Sequence, residues 1–377
     1  MAVIKERGMN MAYSRDDLIG TQLARAERNI PTMKQDEVVK ESIRLGLPAA
    51  DSVEDKTIPC FARGDLPVFG GITTYMKFPY LEDMTKLKGK DVAVLGVPYD
   101  GAAHYKAGAR YGPMGIRRAS AGHTPHHFEY AVDLRESLDI VDVGDVCTLP
   151  SNNEKTFDQI TKAVSYIVEN GVFPVVMGGD HSITYPVLRG IAPHIDGNIG
   201  IIHFDRHPDM QTIDLDERMN TTPFYHATDI PNVPASNLVQ LGIGSPQACR
   251  IPLQGSIEKN VAIMTVDEIL DKGVKKAAEI ALDIAWKNAK AVYLSFDIDC
   301  MDSAYAPGCC SPEPGGFLPR EIFKFLSIIA REGLCGLDVV EVAPCFDVND
   351  ITSVMASRII TDSLSAMVAG GKLGRKF

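Results

Sequence analysis

Short apolar runs alternate with longer helix-like stretches over most of the chain after residue 90, and this alternation restricts the fold more than any other feature. Most of the runs are apolar on both alternating faces, as expected for strands of a parallel sheet that helices cover on both sides. The pattern therefore predicts an α/β fold, a three-layer α/β/α sandwich with a mostly parallel sheet of eight strands. The predicted strands are 91–97, 138–143, 173–177, 199–204, 238–243, 261–266, 291–296 and 337–342, and the predicted helices are 154–170, 183–190, 275–287, 319–332 and 351–368.

The first 88 residues differ from the rest of the chain. Ser14, followed three residues later by Asp17, is a helix-start signal, and a second helix is predicted from about Gln35 to Leu45. The stretch 58–79 contains apolar residues without a period, which argues against a disordered tail. We expect residues 1–88 to form a helical arm that packs on the main domain or on a neighbouring subunit, and residues 89–377 to form the main domain.

The composition argues against several classes of function. No apolar run reaches the ~18 residues that cross a bilayer, and the N-terminal segment lacks the apolar core of a secretory signal. Eight cysteines without a CxxC pair indicate reduced thiols rather than a disulfide framework. The formal net charge of −11 disfavours nucleic acid and suits a small cationic partner. We expect a cytoplasmic protein that binds neither membrane nor nucleic acid.

Acidic residues and histidines follow three of the predicted strands directly. The three segments are Gly178-Gly179-Asp180-His181-Ser182, Asp205-Arg206-His207-Pro208-Asp209 and Asp297-Ile298-Asp299. Residues two apart on an extended chain point to the same side, so the acids and histidines within each segment can converge. In open parallel sheets the active site lies beyond the carboxyl ends of the strands, where all three segments are found.

Several carboxylates crowded into one crevice repel one another and can all stay ionised only if cations neutralise them. A mixed carboxylate and imidazole donor set suits Mn, Ni, Co, Fe or Zn better than Mg or Ca. Two ions about 3.5–4 Å apart that share bridging carboxylates would satisfy this balance. A lone Asp or His at a strand end is more often a helix cap or a solvated loop residue, but three such segments together favour a metal site with two ions.

These segments resemble the signature segments of the ureohydrolases, the arginase and agmatinase family. The matching residues are Gly178-Gly179-Asp180-His181-Ser182, His203-Phe204-Asp205-x-His207-x-Asp209 and Ser295-Phe296-Asp297-x-Asp299. Further matches are Gly96-Val97-Pro98-Tyr99-Asp100, Gly108-Ala109-Arg110-Tyr111-Gly112-Pro113 with Ile116-Arg117, Pro307-Gly308, Pro314-Gly315-Gly316 and Val340-Glu341-Val342-x-Pro344. The resemblance implies an arginase-like three-layer fold, homo- or hetero-oligomers built on trimers, and hydrolysis at a guanidine carbon.

The resemblance also implies a ligand set for two divalent metal ions, with Ni²⁺ favoured and Mn²⁺ as the alternative. One ion would be held by His181, Asp205, Asp209 and Asp297, and the other by Asp205, His207, Asp297 and Asp299. A hydroxide that bridges the two ions would be the nucleophile, because metal binding lowers the pKa of water toward neutrality.

Glu341 and Asp299 acquire catalytic roles by the same resemblance. Glu341 matches the family glutamate that pairs with guanidinium nitrogens and orients the carbon over the nucleophile. Asp299 would steady the tetrahedral intermediate and pass a proton to the leaving amine. The alternative for Glu341 is a structural one, in which its side chain caps the turn that follows.

One position departs from the family pattern. Where many relatives carry a histidine that shuttles protons, alignment on Thr222-Pro223-Phe224-Tyr225 places Asn220, which cannot titrate. We expect Asn220 to contact the substrate instead. Either the nearby His226 takes over the shuttle or the leaving group needs less help, and the alternative for His226 is a buried, hydrogen-bonded role.

Two further departures indicate a rebuilt pocket wall. The usual Gly-Thr-Gly segment reads Gly308-Cys309-Cys310-Ser311, and the usual alanine between the first Asp and His of the second segment is Arg206. We expect Arg206, Cys309 and Cys310 to contact the substrate, with the two thiols acting as small hydrophobic groups rather than as reactive ones.

The N-terminal arm, Arg206 and the segment Asp214-Leu215-Asp216-Glu217-Arg218-Met219 resemble the branch of the family that contains nickel-dependent guanidine hydrolases and metformin hydrolases. This resemblance implies an N-substituted biguanide such as metformin, giving guanylurea and dimethylamine, or free guanidine, giving urea and ammonia. An agmatinase or a guanidinobutyrase is the alternative within the family. An alternative of another class is a non-catalytic subunit that stabilises a paralogous partner, although retention of all six ligands argues against it.

Overall fold

The computed structural model describes residues 68–244, 246 and 250–374. The strands are β1 (Val92–Gly96), β2 (His126–His127), β3 (Val132–Asp133), β4 (Ile140–Asp145), β5 (Phe173–Met177), β6 (Asn198–Phe204), β7 (Leu238–Leu241), β8 (Ala262–Met264), β9 (Ala289–Asp297) and β10 (Gly336–Val340). The α-helices are α1 (Gly112–Ser120), α2 (Leu134–Ser137), α3 (Asn153–Glu169), α4 (Thr184–Ile191), α5 (Pro223–Ala227), α6 (Arg250–Glu258), α7 (Val266–Lys272), α8 (Val274–Ala285), α9 (Pro319–Ile329) and α10 (Ile351–Ala369). Among the helices of the described residues, none combines the length and the hydropathy of a membrane-spanning segment.

Eight of these strands form one sheet in the order β4-β1-β5-β10-β9-β6-β7-β8, and every neighbouring pair is parallel. The other two, β2 and β3, form a short antiparallel pair. Each of the eight predicted strands corresponds to a strand of the large sheet, so the predicted α/β fold is confirmed.

Helices cover both faces of the sheet and bury alternate residues of each strand. In β1, Val92 belongs to a core cluster with residues of α1, α8, α9 and α10, whereas the next residue, Ala93, belongs to a second cluster with residues of α3, α4 and α5. Because neither face is left to solvent, the strands read as continuous apolar runs in the sequence. The predicted three-layer arrangement is therefore confirmed.

The end of β8 differs from the prediction. The predicted strand 261–266 runs into a helix, because Val266 is the first residue of α7. Thr265 accepts a hydrogen bond from the amide of Glu268, and the Glu268 carboxylate accepts one from the amide of Thr265. This reciprocal pair is a capping box, and it satisfies amides that a continued strand would use differently.

The helices predicted after Ser14 and around 35–45 lie outside the described residues. The described end of the predicted arm packs against the sheet layers through Tyr75, which is fully buried. Its hydroxyl donates to the carbonyl of Ser357 on α10 over 3.0 Å, and its amide donates to the Asp142 carboxylate on β4 over 2.8 Å. The boundary at residue 88 stays a prediction.

A buried cation joins α1 to the edge of the sheet. The Arg117 guanidinium donates to both oxygens of Asp142, over 2.8 and 2.9 Å, to the Asp145 carboxylate over 2.6 Å and to the Gly144 carbonyl over 2.8 Å. A buried charge that is paired and hydrogen-bonded in this way becomes costly once one partner is removed. Arg117 therefore fixes the position of α1 on β4.

We expect Arg117→Ala to lower the free energy of unfolding by about 3–5 kcal/mol, because it leaves the buried Asp142 carboxylate unpaired. The neighbouring Arg118 is a matched control, since it pairs with Asp350 but is 61% exposed. Arg118→Ala should cost no more than about 1 kcal/mol. Urea unfolding monitored by circular dichroism measures both values, and equal losses in the two variants would contradict the role assigned to Arg117.

Candidate metal centre

The four central strands of the sheet place the predicted chemistry at one edge. Their order is β5-β10-β9-β6, and all four end at the same side because they are parallel. His181 follows β5 in a short 3-10 helix, Asp205 follows β6, Asp297 is the last residue of β9, and Glu341 directly follows β10. Since the strands are held by their ladders and by helices on both faces, these side chains start from a rigid base.

Four of the predicted ligands form a first group around the His181 ring. Its Nδ1 lies 3.0 Å from Asp205 Oδ2, 3.0 Å from Asp209 Oδ2 and 3.1 Å from Asp297 Oδ2. All four side chains are nearly or fully buried, and their donor atoms are close enough together to hold one metal ion.

A second group forms around the His207 ring. Its Nδ1 lies 3.2 Å from Asp205 Oδ1 and 3.2 Å from Asp299 Oδ2. Asp205 therefore presents one oxygen to each group, as a bridging carboxylate would. Asp297 was expected in this group as well, but the donor atoms that lie together are those of Asp205, His207 and Asp299. One oxygen of Asp297 instead accepts a hydrogen bond from the Asp299 amide over 2.8 Å.

Hydrogen bonds behind the first group determine which nitrogen of His181 faces the carboxylates. Its Nε2 lies 3.0 Å from the Ser295 hydroxyl, which in turn donates to Asp338 Oδ1 over 2.7 Å. Because the hydroxyl proton is committed to Asp338, Ser295 accepts the Nε2 proton of His181, and a neutral ring then presents the Nδ1 lone pair to the carboxylates. Metal-binding histidines are commonly oriented through their second nitrogen in this manner.

His203, which lies in β6, orients the carboxylate of Asp205. Its Nδ1 accepts a hydrogen bond from the Gln240 amide over 3.0 Å, so its Nε2 proton points at Asp205 Oδ2, 2.8 Å away. Burial lowers the pKa of His203 to about 4, which keeps the ring neutral at physiological pH. His203 stands in one of the family segments, but no role was predicted for it from the sequence; its position in β6, two residues before Asp205, was the available signal.

The cluster requires positive charge. Burial, and then the charges of Asp299 and Asp205, raise the pKa of Asp297 well above its ordinary value. Burial lowers the pKa of His181, but its contacts with Asp205, Asp209 and Asp297 outweigh this and raise it well above the ordinary value. A proton on His181 would thus supply some of the positive charge that the carboxylates require. However, Nδ1 is not aligned for a hydrogen bond with any of the three carboxylates. The donor set fits a divalent cation better than it fits a proton.

A cavity of about 350 Å³ opens onto the cluster. Its wall combines cluster residues with residues from several loops. The lining residues are His104, His207, Pro208, Asp209, Gln211, Asn220, Thr221, Pro246, Asp297, Asp299, Ser311 and Glu341. The volume is typical of the smaller ligand sites in proteins, which span about 300–1,000 Å³.

Glu341, which lines this cavity, has an unusual backbone conformation. Its φ is 63°, in the left-handed region, which costs a residue with a Cβ on the order of 1–3 kcal/mol. One carboxylate oxygen, Oε1, accepts from the His181 amide over 2.9 Å and from Asn220 Nδ2 over 3.2 Å. The other oxygen, Oε2, is buried without a hydrogen-bond partner. Burial raises the pKa of Glu341 to about 7. A cationic donor in the cavity would satisfy this oxygen.

His226 does not reach this cavity. Its Nε2 lies 2.8 Å from the Glu217 carbonyl, and its ring lines a different cavity together with Tyr185 and Arg189. The expectation that His226 acts as a proton carrier at the cluster is therefore corrected. The alternative, a hydrogen-bonded structural histidine, agrees with its contacts. Asn220, in contrast, lines the cavity as expected.

The three residues that depart from the family pattern near the pocket, Arg206, Cys309 and Cys310, contact the cavity less directly than expected. Arg206 is buried and donates to the Gly242 carbonyl over 3.0 Å, and the Cys309 thiol donates to the Ala306 carbonyl over 3.3 Å. Cys310 lies against Glu341, and burial followed by that carboxylate raises the pKa of its thiol well above the ordinary value. None of the three is among the described residues that line the cavity, where Ser311 takes their place. Direct substrate contact by Arg206, Cys309 and Cys310 is accordingly not supported by their positions.

Removing metal from the cluster should make stability depend on pH. Burial raises the pKa of Asp209 to about 6 and that of Glu341 to about 7, so the metal-free folded state binds these protons more tightly than the unfolded chain does. The stabilisation is fully present below the unfolded pKa values near 4 and is lost as the pH rises through 6 and 7. In EDTA, we expect Tm to fall by on the order of 5–10 °C between pH 5 and pH 8.

Added Mn²⁺ should reverse this loss, and it should raise Tm more at pH 8 than at pH 5, because metal and protons compete for the same carboxylates. Differential scanning calorimetry with and without Mn²⁺ at the two pH values measures the effect. A metal-free Tm that rises between pH 5 and pH 8 would contradict the charge balance described for the cluster.

The chain is similar to known proteins over most of its length. The model of the arginase family matches residues 90–365. The chain is 32% identical to proclavaminate amidinohydrolase of Streptomyces clavuligerus over 78% of this chain and 92% of that protein. The solved structure of the Streptomyces protein has a TM-score of 0.73 at 30% identity and covers 81% of this chain and 100% of that one.

Two further relatives carry names that state their substrates. The guanidinobutyrase of Pseudomonas aeruginosa is 30% identical over 80% of this chain and 94% of that protein. The mitochondrial agmatinase of Gallus gallus is 31% identical over 79% of this chain and 86% of that protein. The matched region contains all the residues of the cluster and the cavity described above.

Proposed function

Because this chain belongs to the arginase family, we propose that it hydrolyses a C–N bond of a small guanidine-type cation with the help of two divalent metal ions. The observation that carries the proposal is Glu341 Oε2, a buried acceptor without a hydrogen-bond partner, which belongs to a residue that lines the same cavity as the histidines and carboxylates of the cluster. A guanidinium is a planar cation with several N–H donors, and a carboxylate is its natural partner.

We assign the metal ligands from the two groups of donor atoms. His181, Asp205, Asp209 and Asp297 would hold one ion, and Asp205, His207 and Asp299 would hold the other, with Asp297 as its expected further ligand. When bound, such ions supply Lewis acidity and lower the pKa of a coordinated water toward neutrality. The same donors suit Ni²⁺ and Mn²⁺, and we propose Ni²⁺ with Mn²⁺ as the alternative.

The residues of the chain have separate roles in this scheme. Glu341 binds the guanidinium through Oε2 and holds its carbon toward the cluster, while the amides of His181 and Asn220 fix the carboxylate through Oε1. Asp299 lines the same cavity and belongs to the second group of donors but not to the first, and it would relay a proton toward the leaving amine. Residues 89–377 would form the catalytic domain and residues 1–88 the arm.

Within this class we propose an N-substituted biguanide such as metformin, or free guanidine, as the substrate. Support comes from the sequence features that depart from the common family pattern, namely Asn220 and the Cys309-Cys310 segment beside Glu341. Agmatine and 4-guanidinobutyrate are the alternative, and the relatives named for those compounds, at 30–31% identity, favour them.

The oligomer is part of the same proposal. We propose trimers or hexamers, as a homo-oligomer or together with a paralogous chain. A purely structural, non-catalytic subunit would have no need to keep a complete donor cluster beside an acceptor poised for a cation, so we favour a catalytic role for this chain.

A substrate panel tests the proposal. The full-length protein, purified alone and loaded with Ni²⁺ or with Mn²⁺, is assayed with metformin, guanidine, agmatine and 4-guanidinobutyrate, while metal content is measured by mass spectrometry. We expect about two metal ions per chain and release of dimethylamine from metformin or of ammonia from guanidine. Metal-depleted protein is the control.

The outcomes separate the alternatives. Turnover of agmatine or 4-guanidinobutyrate alone would replace the proposed substrate but keep the reaction. Turnover only after a paralogous chain is added would indicate a hetero-oligomer. Metal-loaded protein that hydrolyses none of the four compounds, alone or with a paralogue, would refute the proposed activity.

A further inference from the structure

Hydrolysis of a guanidinium moves two protons to the leaving nitrogen. The cation and one water become a urea and a protonated amine, so the C–O bond that forms and the C–N bond that breaks are accompanied by transfer of both water protons. A carboxylate carries only one proton at a time, so Asp299 can relay one of the two protons but not both together. A second group that can carry a proton would therefore complete the step.

The cavity offers one candidate for this second carrier. Among the described residues that line it, the titratable side chains are those of His104, His207, Asp209, Asp297, Asp299 and Glu341. Four of them belong to the metal cluster, and Glu341 is assigned to the guanidinium. His104 is the remaining one, and imidazole is the side chain that exchanges protons most readily near neutral pH.

The loop that carries His104 is anchored on both sides of it. The Ala102 amide donates to Asp180 Oδ2 over 2.9 Å, and the Ala102 carbonyl accepts from the Asn220 amide over 3.1 Å. On the far side, the Gly108 amide donates to Asp100 Oδ2 over 2.7 Å. The first bond ties the loop to the segment after β5 that carries His181, the second ties it to the loop of Asn220, and the third joins two residues of the His104 loop itself, so His104 has a defined place at the cavity wall.

The contacts of the His104 ring determine its tautomer. Its Nδ1 lies 3.0 Å from Asn220 Oδ1, while the Nδ2 of the same amide donates to Glu341. The oxygen of Asn220 must then accept a proton from Nδ1, which leaves Nε2 of a neutral ring as the nitrogen that can take up another. Asp214 lies 3.8 Å from Nδ1, and the His104 side chain is 40% exposed, which gives it access to solvent.

We propose that His104 is the second proton carrier of the reaction, an inference that rests on the proposed function. Neutral His104 accepts at Nε2 one proton that originates from the attacking water. It gives this proton to the leaving nitrogen as the C–N bond breaks, and the ring returns to its neutral form. Asn220 acts as a positioning residue that holds both His104 and Glu341, which explains how a residue that cannot titrate is useful at this point of the cavity.

The test compares His104→Gln, which keeps a polar group but cannot titrate, with His194→Gln as the matched control. His194 also bonds a neutral side chain, with its Nε2 2.8 Å from the Ser165 hydroxyl, and it is not among the described residues that line the cavity. We expect His104→Gln to lower kcat by on the order of 10²-fold, with KM changed less than about threefold and metal content unchanged. His194→Gln should stay within about twofold of the wild type.

Two further measurements distinguish proton transfer from a structural role. The pH profile of kcat should lose one ionisation in His104→Gln relative to the wild type, whereas His194→Gln should keep the wild-type profile. In addition, imidazole in the buffer should restore at least about tenfold of the activity of His104→Ala but none of the activity of Asp299→Asn. Activity of His104→Gln within threefold of the wild type, or an equal loss in His226→Gln, would overturn the inference while leaving the proposed function in place.

A measurement that does not depend on turnover tests the role of His104 even if no compound of the substrate panel is hydrolysed. In protein with ¹³C-labelled histidine, the ring signal assigned to His104 by its absence from His104→Gln should shift when guanidinium chloride is added at millimolar concentration, whereas the His194 signal should not. An unaffected His104 signal would overturn the inference even if every compound of the substrate panel were inert.

Discussion

Replacing Asp297 with asparagine is expected to lower kcat/KM by at least about 10³-fold and to reduce the metal content of the protein. Asp297 Oδ2 lies 3.1 Å from His181 Nδ1, in the group of donor atoms that would hold the first ion. The substitution keeps the shape of the side chain but removes a negative charge from a buried site whose balance depends on it. Activity with saturating Mn²⁺ and metal content after dialysis measure the two effects.

Asp142→Asn is the matched control for this substitution. Asp142 is also a buried carboxylate at a strand of the sheet, at 1% exposure against 2% for Asp297, but its partner is Arg117. We expect Asp142→Asn to lower Tm and to leave the metal content unchanged. Full activity of metal-free Asp297→Asn protein would refute the mechanism, since the reaction would then need neither the charge nor the ion.

Glu341→Gln should lower kcat/KM for a guanidinium substrate by on the order of 10²–10³-fold without loss of metal. The substitution replaces the proposed charged partner of the substrate by a neutral amide, and the backbone conformation with φ of 63° and the bond from the His181 amide can both be kept. Steady-state kinetics and metal analysis on the same preparation separate the two properties.

Glu313→Gln is the control for Glu341→Gln. Glu313 is buried as well, and its carboxylate lies 4.0 Å from the Arg206 guanidinium instead of in the cavity. We expect its kcat/KM to stay within about threefold of the wild type. If Glu341→Gln were equally active, Glu341 would have the structural role that the sequence left open, and the guanidinium would need another partner.

The sheet could be predicted because its strands are buried on both faces. Such strands appear in the sequence as runs like 173–177, in which every residue is apolar, and β5 has the predicted bounds. The helix α1 was missed because it begins with Gly112 and Pro113 and contains Gly115, residues that are poor helix formers. Its place is determined instead by the contacts of Arg117 with the sheet, which are tertiary and leave no local pattern.

The cluster was predictable for a different reason. Asp297 ends a strand, Asp205 directly follows one, and His181 lies four residues after the end of β5, and the strand order of a parallel sheet brings such positions to one edge. His226 was misjudged because nearness in sequence to Asn220 suggested nearness to the cavity, whereas α5 turns its ring toward Tyr185. His104 was missed because the only other acid or histidine in its loop after β1 is Asp100, four residues away, which does not give the i, i+2 spacing seen in the cluster segments.

The division of the cavity between strand ends and loops has a consequence for how proteins of this kind can diversify. Glu341 receives a hydrogen bond from the backbone of His181, so the group proposed to recognise the cation and a proposed metal ligand share one rigid frame. Pro246 and Ser311, by contrast, reach the cavity from loops. Changes in those loops can alter which nitrogen compound is accepted while the reacting centre stays intact, so new specificities can arise without rebuilding the chemistry.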